Sequence, residues 1–293
     1  MLEESGRCHN RADFSRVFPP KVAARYKSQH VALLRVQTLR RLGDFYRGEA
    51  RYKEAKIRLA EGLRLAERFL GGEHIETALV LNSIGILGKY NGEYALAKRA
   101  YGRALRIAKS HKDHWLTATL YHNLGGLFHE RRKYTRAAPY ARQAVKLREK
   151  LLGKRHPDVI ADLGAYAAVL QGQRRYRPAL RIYERALRFH ERRRDEYEIA
   201  VTEHNLGVLK YALKRRDEAK KHMLRSLSLK RKLLGRHHSD YAFTLCSLGV
   251  LHKRLGEKAQ ARTALSQALK TLRRSLGKSH PNVKSCGKHL SSL

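Results

Sequence analysis

Sixteen histidines and several runs of adjacent basic residues are the parts of this chain that could do chemistry. His74, His114, His156, His238 and His280 recur along the sequence at intervals too long to share one turn or helix. A zinc site needs three or four such ligands converging on one point. A periodic spacing instead sets them in a row, so their expected place is in turns, and no metal is expected. His237 beside His238 is an adjacent pair, which alone is not a ligand motif. The basic runs are Arg131-Arg132-Lys133, Arg192-Arg193-Arg194, Lys214-Arg215-Arg216 and Lys230-Arg231-Lys232. Together they could neutralise phosphates, and such binding would fall steeply with salt. For any single run, solvation is the default. Aromatic residues do not interleave with them, so base stacking of the single-strand type is not indicated.

Nothing in the sequence reads as a reaction centre. The phosphate loop G-x-x-x-x-G-K-[ST], the dinucleotide loop G-x-G-x-x-G after a strand and the nucleophile turn G-x-S-x-G are all missing. Acidic residues are scarce, 26 Asp+Glu against 63 Lys+Arg, which leaves a formal charge of +37. A field of that size favours acidic partners, nucleic acid or anionic membrane surfaces. Cys8, Cys246 and Cys286 form no C-x-x-C pair, so neither a zinc site nor a disulfide framework is supported, and free thiols suit a reducing compartment. No apolar run approaches the ~18 residues of a membrane span. The start, MLEESGRCHNRADF, has no secretory core. The expectation is a cytoplasmic protein that binds, without catalytic residues or cofactor.

The elements that position these side chains are repeats. Ala55, Ala97, Ala137, Ala179, Ala219 and Ala261 recur at steps of 42, 40, 42, 40 and 42. Leu42, Ile84, Leu124, Tyr166, Leu206 and Leu248 keep the same steps, each followed by a small residue: Gly43, Gly85, Gly125, Ala167, Gly207 and Gly249. A mid-helix glycine costs about 1 kcal/mol relative to alanine. Glycine at one repeat position therefore predicts close approach of two helix backbones. Within each unit the apolar residues fall at helical spacing, as in Ala55, Leu59, Gly62, Leu63, Ala66 and Leu70. Each unit reads as helix A, a short turn and helix B. One pair cannot bury its apolar face alone, so neighbours must stack. The connecting segments read LGGEHIETA, LGKRHPDVIA, LGRHHSDYA and LGKSHPNV, with a glycine stop and, in two, a proline at the next helix start. The other two, SHKDHWLTA and RRRDEYEIA, are shorter, which explains the alternating steps.

Tyr121–Phe128 reads YHNLGGLF and is followed by RKYTRAAPYARQAVKLREKLLGKRHPDV. This resembles the tetratricopeptide repeat family, in the long-period variety of kinesin light chains, over about residues 31–290. The resemblance implies an all-α, right-handed superhelical solenoid of six helix-turn-helix pairs plus a C-terminal capping helix. The expected repeats span 34–73, 74–113, 114–155, 156–195, 196–237 and 238–279, with the cap at 280–293. The solenoid as a whole covers 21–293, and residues 1–20, ending at Pro19-Pro20, form a flexible tail. In relatives, helix A asparagines hold the backbone of an extended peptide and basic residues hold its carboxylates. That makes Asn82, Asn123 and Asn205 candidates for peptide contacts, with His122 beside them. Arg40, Arg41, Lys89 and Lys253 are candidates for anionic groups. The asparagine amide suits a peptide because it both donates and accepts.

Two departures from the family pattern matter. The tyrosine at Tyr52, Tyr94, Tyr134 and Tyr176 becomes Arg216 and Lys258, so looser packing is expected in the last two units. Helix B glutamates of the family give way to basic or neutral residues, Lys56, Lys98, Ala138, Leu180, Lys220 and Arg262. The leading expectation is a scaffold for an extended acidic peptide. The alternative is sequence-independent nucleic-acid binding through the basic surface. Docking on anionic membranes is the weakest reading, since no lipidation motif accompanies the charge.

Overall fold

A computed structural model describes residues 20–278 and 280–293, with side chains from residue 28 onward. The tail expected at residues 1–20 lies outside the described residues except for Pro20, which opens the first helix. Among the described residues the chain is helical throughout and contains no strand, as the repeat pattern requires. The helices are α1 (Pro20–Gly48), α2 (Tyr52–Leu65), α3 (Ile75–Tyr90), α4 (Tyr94–Ser110), α5 (His114–Glu130), α6 (Tyr134–Leu152), α7 (Pro157–Gly172), α8 (Tyr176–Arg193), α9 (Glu196–Ala212), α10 (Arg216–Leu234), α11 (Ser239–Arg254), α12 (Lys258–Leu276) and α13 (Pro281–Ser291). A π-helical turn, Ala66–Leu70, extends α2. None of the described helices is long and apolar enough to cross a membrane.

The linker histidines do chemistry of a structural kind. The Nδ1 atoms of His74, His156, His238 and His280 accept the backbone N–H two residues on, at 3.1–3.2 Å, and so satisfy a free donor at the start of the next helix. In the two short linkers Asp113 and Asp195 do the same work, accepting from Leu116 N at 2.8 Å and Glu198 N at 3.2 Å. His114 therefore departs from the series: it follows the capping Asp113 as the first residue of α5. Each turn between paired helices needs one left-handed residue, and Ala50, Gly92, Arg132, Arg174, Lys214 and Gly256 supply it.

The chain divides into two compact units within α3, one ending at Ser83 and the other running from Ile84 to Leu293. In the first, Val36, Leu59, Ala55, Ala66 and Val80 are fully buried. In the second, consecutive helices pack into pairs whose small residues let the backbones close. A Cβ on Gly85 would lie 2.4 Å from the Tyr101 ring, and one on Gly207 would meet Met223 Cγ at 2.6 Å and Ala219 O at 3.2 Å.

The last units do not pack loosely. Ala242, Leu245, Ala264, Leu265, Ala268, Leu269, Leu272, Val283 and Cys286 form one buried cluster there. The reason lies in what the tyrosine does elsewhere. Tyr134 covers Gly172 on the helix A that follows, and Tyr94 donates to Glu130 on its following helix A at 3.3 Å. Lys258 opens the last pair, where only the short α13 remains to be covered. Near Arg216, Lys220 joins α10 to Glu257 at the start of α12 through a 3.1 Å ion pair.

Candidate functional site

In the second unit the first helices of successive pairs share one face: α5 packs on α7, α7 on α9 and α9 on α11. Between α9, α11 and α13 this face opens into a cavity of about 750 Å³. The α9 wall is Tyr197, Val201, His204, Val208 and Tyr211, spaced at helical intervals. The α11 wall is Asp240, Phe243, Cys246, Ser247 and Val250, and α13 adds Asn282, Ser285 and His289. Met223, Leu251, Leu272, Cys286 and Lys230 complete the lining. Val201, Val208, Tyr211, Phe243 and Val250 are half-buried, and Tyr197 is 39% exposed.

A few polar groups break these apolar walls. Lys230 is buried and donates to Thr244 Oγ1 at 3.1 Å. Burial pushes its ammonium pKa down, and the Asp240 charge opposes that shift. Tyr197 donates to Asp240 Oδ2 at 2.6 Å, and burial followed by this carboxylate raises the phenol pKa. The Nδ1 atom of His204 is buried with no hydrogen-bond partner among the described residues. Burial, then the Lys230 charge, lowers this imidazole to about 4, so it is neutral at pH 7. Apolar walls with a few convergent polar groups are the usual make-up of a binding site.

A smaller cavity, about 60 Å³, lies between α5 and α7 and is lined by His122, Gly126, His129, Asp162 and Ala168. His122 Nδ1 sits 2.7 Å from Asp162 Oδ1, while Arg148 donates from Nε to Oδ2 of the same carboxylate at 2.8 Å. The Arg148 guanidinium also lies 5.0 Å from the Trp115 ring centre and reaches Thr119 Oγ1 at 3.3 Å. Burial, then the charge of Lys89, lowers the pKa of His129. Among the described residues no group of three or more His, Cys, Asp or Glu is arranged to hold a metal ion.

The tetratricopeptide repeat family model matches residues 34–110, 116–192 and 198–283, most of the chain. The protein belongs to the tetratricopeptide repeat family. Its fold is similar to that of BtubC (BKLC) from P. vanneervenii, at 22% identity and a TM-score of 0.53, over 86% of this chain and 94% of that one. It is also similar to a putative kinesin light chain of Podosopora anserina with nearly identical repeats, at 16% identity and a TM-score of 0.52, over 69% and 98%. NprR, solved in complex with its cognate peptide NprX, gives 17% identity and a TM-score of 0.67, over 85% and 68%. Among curated proteins none matches the chain.

This tetratricopeptide repeat protein places the residues singled out in its sequence as follows. Arg40, Arg41 and Asn82 belong to the first unit. Arg40 lies within 3.9–4.0 Å of Asp44 and Glu76, so internal carboxylates already face it, while Arg41 is exposed and Asn82 half-buried. In the second unit His122 lines the smaller cavity, and its neighbour Asn123 lies outside that lining. Asn205 stands in the same way beside His204 and outside the lining of the larger cavity. Lys89 is 3.9 Å from Glu130. Lys253 donates to Ser292 O at 2.6 Å and His289 O at 3.3 Å, tying down the end of α13. Arg131, Arg132, Lys133, Arg192, Arg193, Arg194, Arg231 and Lys232 are exposed. Lys232 pairs with Glu196 at 2.7 Å.

Lys230 is a correction to the solvated basic run expected of it. Its repeat position faces the next helix A, so it is buried and lines the larger cavity. The residues missed in the sequence are the aromatic and aliphatic ones, Tyr197, Val208, Tyr211, Phe243 and Val250. The available signal was their spacing on helix A: Val208 and Val250 lie two residues beyond Leu206 and Leu248, Tyr211 five beyond Leu206, Phe243 five before Leu248 and Tyr197 nine before Leu206.

Proposed function

We propose that this protein is a non-catalytic adaptor that holds an extended, acidic peptide segment along the α5–α13 face of its second unit. The observation that carries the reading is the cavity of about 750 Å³, with apolar walls and a buried ammonium at Lys230. An apolar side chain of the segment fills the cavity, while its carboxylates answer a chain of charge +37. His204, Ser247 and Asn282 put polar side chains in the lining for a peptide backbone to meet. The NprR complex with NprX supports the capacity of this fold for a peptide. A cytoplasmic setting fits the free thiols of Cys246 and Cys286.

Selection from displayed random peptides tests the reading. The expected winners are acidic and share one large apolar residue. Their binding falls at least tenfold with Val208→Arg or Val250→Arg, and more weakly with the pair Asn123→Ala and Asn205→Ala. Selection of basic or featureless sequences, or unchanged binding in both arginine variants, would overturn it.

The second reading, sequence-independent nucleic-acid binding, has one observation in its favour. Lys109, Lys112, Lys146 and Lys150 are among the residues lining a hollow of about 320 Å³. Among the described residues none of these four has a carboxylate within 4.0 Å. Its signature is a steep loss of affinity with salt and indifference to base sequence.

A further inference from the structure

We propose that Cys246 and Cys286 form a redox-active dithiol in the wall of the α9–α13 cavity, closing to a disulfide when a small peroxide enters. The two residues belong to different helices, α11 and α13, and no sequence motif links them. The fold brings them together: Cys286 sits in the terminal apolar cluster, and Cys246 packs against that cluster. Both thiols are free and both line the cavity. Cys286 also lies within reach of the Leu265 carbonyl at 3.8 Å.

The surroundings divide the two sulfurs chemically. The hydrogen bond from Cys246, with further help from the Arg273 charge, lowers the pKa of Cys286. The same hydrogen bond, then burial, raises that of Cys246. The pair therefore gives up its first proton from Cys286, and the thiolate is the nucleophile. It attacks one oxygen of hydrogen peroxide; the O–O bond breaks, hydroxide leaves and takes up a proton to become water, and Cys286 becomes a sulfenic acid. The Cys246 sulfur then attacks the Cys286 sulfur; the S–S bond forms, the S–O bond breaks, and the departing hydroxide leaves as water with the Cys246 proton. Two thiols lose two electrons and two protons, and one peroxide becomes two waters. Both cysteines line the cavity, Cys246 half-buried and Cys286 fully buried, so a small oxidant is favoured over a bulky one. A disulfide here ties α13 to the repeat beneath it, and a thiol reductant reopens it.

The test uses the reduced full-length chain, with and without equimolar hydrogen peroxide, alkylated and digested with trypsin. Trypsin releases Cys246 in the peptide 237–253 and Cys286 in the peptide 285–288. The expected product is these two peptides joined, lost on treatment with dithiothreitol, with Cys8 still alkylated. In the Cys246→Ser variant, dimedone is expected to trap a sulfenic acid on Cys286. Recovery of both peptides fully alkylated after peroxide, or cross-links through Cys8 in place of the internal one, would overturn the proposal. Neither outcome depends on whether the cavity binds a peptide.

Discussion

Arg148 Nε and Asp162 Oδ2 meet at 2.8 Å with both side chains buried, their relative exposures 6% and 3%. The same two repeat positions hold Ala108 and Leu120 one unit earlier, and Lys230 and Thr244 two units later. The site thus takes either an apolar or a polar pair, provided the pair matches. Asp162→Leu alone takes the nearest carboxylate from a buried guanidinium, leaving Asp158 at 3.9 Å, and is expected to cost about 3–5 kcal/mol. The double change Arg148→Leu with Asp162→Leu is expected to recover most of that loss. Urea unfolding of the three variants measures it, and additive losses would contradict a matched pair.

The small residues of helix A differ in what surrounds them. Gly207 faces α10 backbone at 3.2 Å, whereas a Cβ on Gly164 would meet nothing within 4 Å. Gly207→Ala is expected to destabilise by about 1–3 kcal/mol, since a backbone cannot step aside as a side chain tip can. Gly164→Ala is expected to stabilise by about 0.5–1 kcal/mol through helix propensity. Thermal melts of both give opposite signs if the spacing argument holds.

Acid sensitivity follows from the histidines. Burial lowers the folded pKa of His204 from 6.5 to about 4, and lowers those of His129, His190, His280 and His289. A histidine with a depressed folded pKa binds its proton more readily when unfolded. Its stabilisation is therefore complete above pH ~6.5 and is lost as the pH falls toward ~4. Lys230, Asp240 and His289 line the same cavity as His204 and belong to that balance. Melting temperature is expected to drop across this window, and His204→Leu to flatten the slope. An unchanged slope in that variant would remove His204 from the account.

Arg174 is held in the left-handed region at φ 61°, where glycine is at home. Arg174→Gly is expected to stabilise by about 0.5–1 kcal/mol in the same denaturation assay. A loss would mean that its side chain contributes more than the backbone strain costs.

The repeat architecture was legible because its signal is redundant. Alanines such as Ala55 and Ala97 and glycines such as Gly85 and Gly207 recur in register, and each has a single packing explanation that the structure bears out. The linker histidines were legible as turn residues, yet their role as N-caps depends on Nδ1 geometry that spacing does not carry. The binding face was harder to read. Neighbouring residues on a helix point about 100° apart, so choosing Asn205 over His204 displaces the candidate from the cavity wall. Lys230 looked like one member of a solvated run because charge was weighed before register. The meeting of Cys246 with Cys286 was invisible in the sequence, since it needs two helices to be placed side by side.

The most direct test of the central claim is fluorescence anisotropy at physiological salt. The purified, nuclease-treated protein is titrated against a labelled acidic peptide bearing one aromatic residue, single-stranded RNA and duplex DNA. The account predicts that the peptide binds and that Val208→Arg abolishes its signal, while RNA and DNA lose theirs as salt rises to this level. Tight nucleic-acid binding at the same salt, with a peptide signal absent or indifferent to Val208→Arg, would contradict it.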